Sequence, residues 1–220
     1  MDGGPRTLAA LTLAEFSERL ASDEPVPGGG SAAAVVGSFA AALVAMVARL
    51  SLDRPKYDAY RGTITHALEH AEAARERLLA LAEDDARAYG NFAAALKLPK
   101  ESEDQQRERT SSMRAAAREA SQVPLAVVRE CALLLSEIEG MAGRSNVNAA
   151  SDLEVAARLC AAAARGAAAN VMVNLPHVGD QRFVGITTAE VGDLLHGVER
   201  NVAQVAQRVA RGGLRAPEPA

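Results

Sequence analysis

Asp85 is the residue whose position most directly suggests chemistry. Leu78, Ala82, Asp85, Tyr89, Phe92 and Leu96 recur in alternating steps of four and three, so a carboxylate falls in line with the apolar stripe of a helix. Burying a carboxylate is costly unless it is paired or used, and burial alone raises its pKa toward that of a proton-transfer group. The same position also suits an Asp bonded structurally to a neighbouring helix end. Both readings stand at this point.

Four other groupings carry chemical potential. The loop Pro27-Gly28-Gly29-Gly30-Ser31 precedes a helix, whose free N–H groups and positive end form an anion site. It lacks the Lys-Ser/Thr ending of a phosphate loop and no strand pattern precedes it; the alternative is a turn that lets two helices pack tightly. Asn146, Asn148, Ser151 and Asp152 gather at a helix start, where such residues commonly serve as caps. Asn170 and Asn174 share a face with Ala163 and Gly166, and two amides on a small apolar face suit a heterocycle's amide edge or a structural contact between subunits. His66 and His70 are also four apart, but the residues around them are charged and no third ligand is evident, so they read as solvated surface and no metal is expected. No Ser-His-Asp or Cys-His arrangement can be assembled.

These residues must be positioned by helices. A capping box at Thr12 and Glu15 opens a short helix to about Ala21. A second helix runs from Ser31 to Leu52, with Ala33, Gly37, Ala41 and Ala45 forming a stripe almost free of side chain, where another backbone can approach closely. A third begins at Pro55 and reaches Leu96; a fourth opens at Ser102 and is expected to kink at Pro124. Ser151 with Glu154, and Thr187 with Glu190, predict capping boxes for a fifth and a sixth helix. Gly212 and Gly213 end the last, and the residues after Gly213 read as a frayed tail. Long helices joined by short loops predict an all-α bundle of antiparallel neighbours, a single helical domain over residues 1–220.

Composition excludes several classes. The chain has 220 residues, 49% hydrophobic and 24% charged, and holds 48 alanines against four Phe, three Tyr and no Trp. Alanine favours helices and aromatics favour strands, so a β-sandwich or barrel is excluded. A net charge of −4 and scarce aromatics argue against nucleic-acid binding. Pro25 to Ala48 carries no charged side chain, yet its Ala, Gly and Ser residues supply little transfer energy, so it reads as a core or interface helix and no membrane is expected. Cys131 and Cys160 read as buried thiols of a reducing cytoplasm.

Several segments together carry a resemblance to a known family. Pro25-Val-Pro-Gly-Gly-Gly-Ser-Ala-Ala-Ala-Val-Val36, Ala45-Met-Val-Ala48, Lys56-Tyr57, Leu96-Lys-Leu-Pro-Lys100, Val123-Pro-Leu125, Asn146-Val-Asn-Ala-Ala-Ser-Asp152 and Asn170-Val-Met-Val-Asn-Leu175 occur in order. The chain thereby resembles the cyclodeaminase/cyclohydrolase family of folate one-carbon enzymes from about Leu13 to Val184. One departure is Ser145-Asn-Val-Asn148, where Gly-Asn-Pro-Asn is more usual.

The resemblance implies an all-helical homodimer acting on the N5/N10 carbon bridge of a tetrahydrofolate derivative with a mono- or polyglutamate tail, with no cofactor beyond that substrate. It implies 5-formiminotetrahydrofolate cyclodeaminase first and 5,10-methenyltetrahydrofolate cyclohydrolase as the alternative; a catalytically silent folate-binding or dimerising homologue is the reading from another class. Asp85 and Asp152 are the implied catalytic carboxylates and Lys97 the implied proton donor or anion partner. Gly28, Gly29, Gly30 and Ser31 are then expected to hold a tail carboxylate or the pterin edge. Lys56, Tyr57, Asn148, Asn170 and Asn174 complete the expected substrate-binding set.

Overall fold

A computed structural model of the chain describes residues 6–217. Among them are six α-helices: α1 (Leu13–Leu20), α2 (Gly29–Leu52), α3 (Arg61–Leu96), α4 (Glu103–Met141), α5 (Ala150–Asn174) and α6 (Gln181–Arg211), with no strand among the described residues. The expected all-α fold is therefore present. Helices α2, α3, α4 and α5 pack in a closed ring, each against the next and α5 back against α2, while α6 lies along α4 and α5.

The alanine content explains how the ring closes. α2 and α5 contribute mostly small residues, and α3 and α4 supply most of the large fully buried ones, among them Ile64, Leu78, Leu134, Leu135, Ile138 and Met141. A Cβ on Gly37 would stand 3.2 Å from both Leu78 Cδ1 and Cys131 Sγ, so those side chains fill the space left by the missing one. α2, uncharged up to Arg49, is long and apolar enough to cross a membrane, but much of it is buried in the bundle. It is a core helix, as its composition predicts.

Several local expectations need correction. The capping box at Thr12 and Glu15 is present, but those predicted for α5 and α6 are not. α5 grows out of a 3-10 turn, Val147–Ala149, capped by the Asn146 side chain, which leaves Ser151 exposed inside the helix. α6 starts six residues before Thr187, where the Asp180 side chain accepts from the Phe183 N–H at 3.0 Å and pairs with Arg118 at 2.6 Å. Pro124 lies within the single helix α4, where the sequence places it.

The chain end after α6 is tied down through Arg215, whose N–H donates to the Gly143 carbonyl at 2.7 Å and whose carbonyl accepts from Tyr60 Oη at 2.5 Å. Glu218, Pro219 and Ala220 lie outside the described residues. His70 is not solvated surface: it lies half-buried between α3 and α4, 3.4 Å from Glu130 and 3.7 Å from Glu137. His66 is exposed and meets Glu137 at 3.1 Å. Cys131 and Cys160 are buried free thiols; a hydrogen bond with Cys131 and burial push the Cys160 thiol well above its usual pKa, so it is no nucleophile.

Candidate active site

The start of α2, the middle of α3 and the end of α5 enclose a cavity of about 370 Å³. Its polar lining includes Asp85, Asn170, Asn174 and His177, together with the main chain of Gly28–Gly30; Tyr89 and Phe92 add an aromatic wall.

Asp85 reaches the cavity from the third turn before the end of α3. Its Oδ2 accepts from Ser31 Oγ at 2.9 Å, and the Ser31 main-chain N–H hydrogen-bonds it as well. Gly28, the N-cap residue of α2, has no side chain to cap the helix, and Asp85 supplies the missing carboxylate from across the bundle. The loop's anion is thus Asp85 itself. Of the two groups expected at Gly28–Ser31, a tail carboxylate would meet the carboxylate that this helix end already has, which leaves the pterin edge.

Burial pushes the Asp85 pKa above the ordinary aspartate value, and the two hydrogen bonds from Ser31 oppose that rise without cancelling it. The Ser31 hydroxyl also lies 2.9 Å from the Ala82 carbonyl. One hydroxyl proton cannot serve both oxygens at once. With Asp85 ionised it serves the carboxylate; with Asp85 protonated, Ser31 can accept from the acid and donate to Ala82. The pair satisfies either protonation state, which a group that gains and loses a proton requires.

The two amides of α5 are held by main-chain carbonyls. Asn170 Nδ2 donates to Gly166 O at 2.9 Å, and Asn174 Nδ2 donates to Asn170 O at 3.0 Å and to Ala120 O of α4 at 2.8 Å. Both Asn174 amide hydrogens are therefore used, and what it can offer a ligand is the acceptor Oδ1. An acceptor here suits a heterocycle edge that bears N–H groups.

The structure divides the expected site residues into two groups. Asp85, Gly28, Gly29, Gly30, Asn170 and Asn174 line one cavity, with Ser31 buried directly behind Asp85. Lys56, Tyr57, Asn148 and Asp152 lie past the other end of α2, a helix of 24 residues and so about 36 Å long. There Tyr57 Oη accepts from the Val147 N–H at 3.2 Å, and Ser51 Oγ accepts from the Asn146 N–H at 2.9 Å, locking the turn before α5 to the end of α2. Tyr57 is thus a buried structural residue, while Lys56 and Asn148 are exposed and Asp152 is half-buried. Lys97 is the exposed C-cap of α3, outside the cavity lining.

His177 is the cavity residue that the sequence reading missed. It closes the 3-10 turn Leu175–His177, and its ring packs 5.7 Å from Phe92 at a tilt of 49°. The available signal was spacing: Asn170, Asn174 and His177 follow steps of four and three on one helical face.

This geometry accompanies a match to a known family. The family model described as formiminotransferase-cyclodeaminase matches residues 12–193. The chain belongs to the formiminotransferase-cyclodeaminase family. Within it, the chain is 35% identical to the methenyltetrahydrofolate cyclohydrolase of Methylorubrum extorquens, over 84% of this chain and 88% of that one. It is 31% identical to the formimidoyltransferase-cyclodeaminase of Rattus norvegicus over 93% of its own length, but spans only 38% of that longer protein. Among solved structures, formiminotetrahydrofolate cyclodeaminase from Thermotoga maritima superposes with a TM-score of 0.85 at 31% identity, covering 93% of this chain and 98% of that one.

Proposed function

We propose that this protein acts on the one-carbon unit at N5 and N10 of tetrahydrofolate, as a 5-formiminotetrahydrofolate cyclodeaminase that forms 5,10-methenyltetrahydrofolate and ammonia. The observation that carries this reading is a half-buried carboxylate with a raised pKa in a cavity that also presents amide groups. N10 attacks the formimino carbon, its proton is taken up by a base, and the former imino nitrogen leaves protonated as ammonia. Asp85 serves as that base and stabilises the positive amidinium before attack. The Asn174 acceptor and the Asn170 amide hold the pterin edge, and Tyr89 and Phe92 supply aromatic surface. The tail, mono- or polyglutamate, leaves through the cavity mouth. These steps exchange one C–N bond for another with proton transfer and no redox change, and they call for no group beyond the folate.

A second reading is favoured by the Methylorubrum relative, which matches this chain at nearly full length: 5,10-methenyltetrahydrofolate cyclohydrolase, with water attacking the methenyl carbon and Asp85 taking its proton. Parallel assays with both folates decide between them, because the methenyl absorbance rises in the first reaction and falls in the second. Turnover of neither leaves a silent folate-binding homologue.

We also propose a homodimer in a reducing cytoplasm. Phe39, Met46 and Leu50 are exposed on α2, whose one charged residue is Arg49 in its last turn. Nearby, an apolar groove of about 430 Å³ opens between α1, α2 and α3, lined by Leu11, Phe16, Val35, Phe39 and Leu79. A second copy covering this face removes it from water.

A further inference from the structure

Pro124 stands inside α4, where a proline has no N–H to give the carbonyl four residues earlier and its ring presses on that carbonyl. The residue four earlier is Ala120. Its oxygen is the one that receives Asn174 Nδ2 from α5, at 2.8 Å. One turn earlier, the Ala117 oxygen receives Ser121 Oγ at 2.8 Å, a bond local to α4. The Ala120 carbonyl instead bonds to another helix, and it lies in the cavity wall beside Asn174.

We infer that Pro124 is a positioning residue for ligand binding: by withholding its N–H it frees the Ala120 carbonyl to fix the Asn174 amide with Oδ1 as the group left for a ligand. Asn174 Nδ2 bonds two carbonyls, on α4 and on its own helix, so the amide cannot be flipped without setting oxygen against oxygen. Pro124 itself is buried and does not line the cavity. Its action on a ligand passes through Ala120 and Asn174. The identity of the ligand rests on the folate reading above; the coupling between Pro124 and Asn174 does not.

The test is a double-mutant cycle in the intact protein. Pro124→Ala, and Pro124→Val to fill the space of the ring, each return an N–H to α4 that competes for the Ala120 oxygen. KM for the folate that the wild type turns over should rise about three- to tenfold, the scale of one misplaced hydrogen bond, with kcat within about twofold and the thermal midpoint maintained or raised. In an Asn174→Ala background the same changes should leave KM where Asn174→Ala put it. An unchanged KM in the single variants, or an equal further rise in the Asn174→Ala background, overturns the inference. A ligand-free readout separates it from the folate reading: the Asn174 side-chain amide resonances in the unliganded protein should shift in Pro124→Ala. If they shift while no folate is turned over, the positioning stands and the folate assignment falls; if they do not move, the positioning falls whatever the substrate.

Discussion

A Cβ on Gly30 would stand 2.1 Å from Oδ1 of Asp85, inside the carboxylate's own volume. The carboxylate of α3 thus occupies the space of a side chain that α2 lacks, close enough to reach the Ser31 hydroxyl and main-chain N–H. The readings of Asp85 as a helix-end partner and as a reactive group describe one arrangement, because the contact that caps α2 also holds the acid at the cavity wall.

Asp85→Asn keeps the shape of the cap and removes the charge. Turnover should fall by about 10²-fold or more, the scale of a positioned proton-transfer group. The raised folded pKa means the native state holds the proton more tightly than the unfolded chain. Stability therefore falls as pH rises from the unfolded value through the folded one, and stays lowered above it. Asn carries no such penalty, so thermal unfolding followed from about pH 4 to neutral should show a flatter profile and no loss of midpoint at pH 7. Unimpaired turnover would remove Asp85 from the mechanism.

Gly30 and Gly29 should respond oppositely to one added methyl. Gly30→Ala must displace the carboxylate, with an activity loss comparable to that of Asp85→Asn and a destabilisation of about 1–3 kcal/mol by urea unfolding. At Gly29 the new Cβ meets Asn170 Nδ2 at 3.6 Å, an ordinary contact, so Gly29→Ala should stay within about 0.5 kcal/mol of wild type. The reverse ranking would mean that the loop, rather than the carboxylate, requires the close approach.

Placing charge on the exposed face of α2 should separate the subunits. Phe39→Asp combined with Met46→Glu is expected to convert a dimer into a folded monomer in sedimentation at micromolar protein, with helicity by circular dichroism unchanged. A wild-type chain that sediments as a monomer rejects the dimer outright.

At the other end of the pKa range, the Thr12 main-chain N–H, with Arg6 and the Thr12 hydroxyl, lowers the Glu15 carboxyl from 4.5 to about 2. A lowered carboxylate stabilises the fold above its unfolded value, and that contribution is lost as pH falls from 4.5 through about 2. Glu15→Gln should remove this part of the acid dependence by slightly lowering the midpoint at neutral pH while leaving it little changed near pH 2, as chemical unfolding across that interval can show.

Periodicity revealed the bundle because strong apolar stripes such as Val127, Cys131, Leu134 and Ile138 need only a neighbour to pack on. It also placed Asp85 on the right face. The starts of α5 and α6 were misread because Ser-x-x-Glu and Thr-x-x-Glu patterns also occur inside helices, and the effective caps, Asn146 and Asp180, were outweighed by those signals. Lys56, Asn148 and Asp152 do not join Asp85 in the cavity of one chain for a different reason. A motif gives order along the chain, and α2 holds its two ends about 36 Å apart.

Gly37 follows Gly30 by seven residues, and Leu78 precedes Asp85 by seven on the antiparallel α3, so the Gly37–Leu78 contact lies two helical turns below the Gly30–Asp85 contact. The leucine works as a detent for the sliding of one helix along the other. A shift of a single turn would drive Leu78 against a neighbouring alanine and carry Asp85 away from Gly30, which accommodates it. The alignment of the acid with the start of α2 is thus indexed from deep in the core, by a side chain that never meets the cavity.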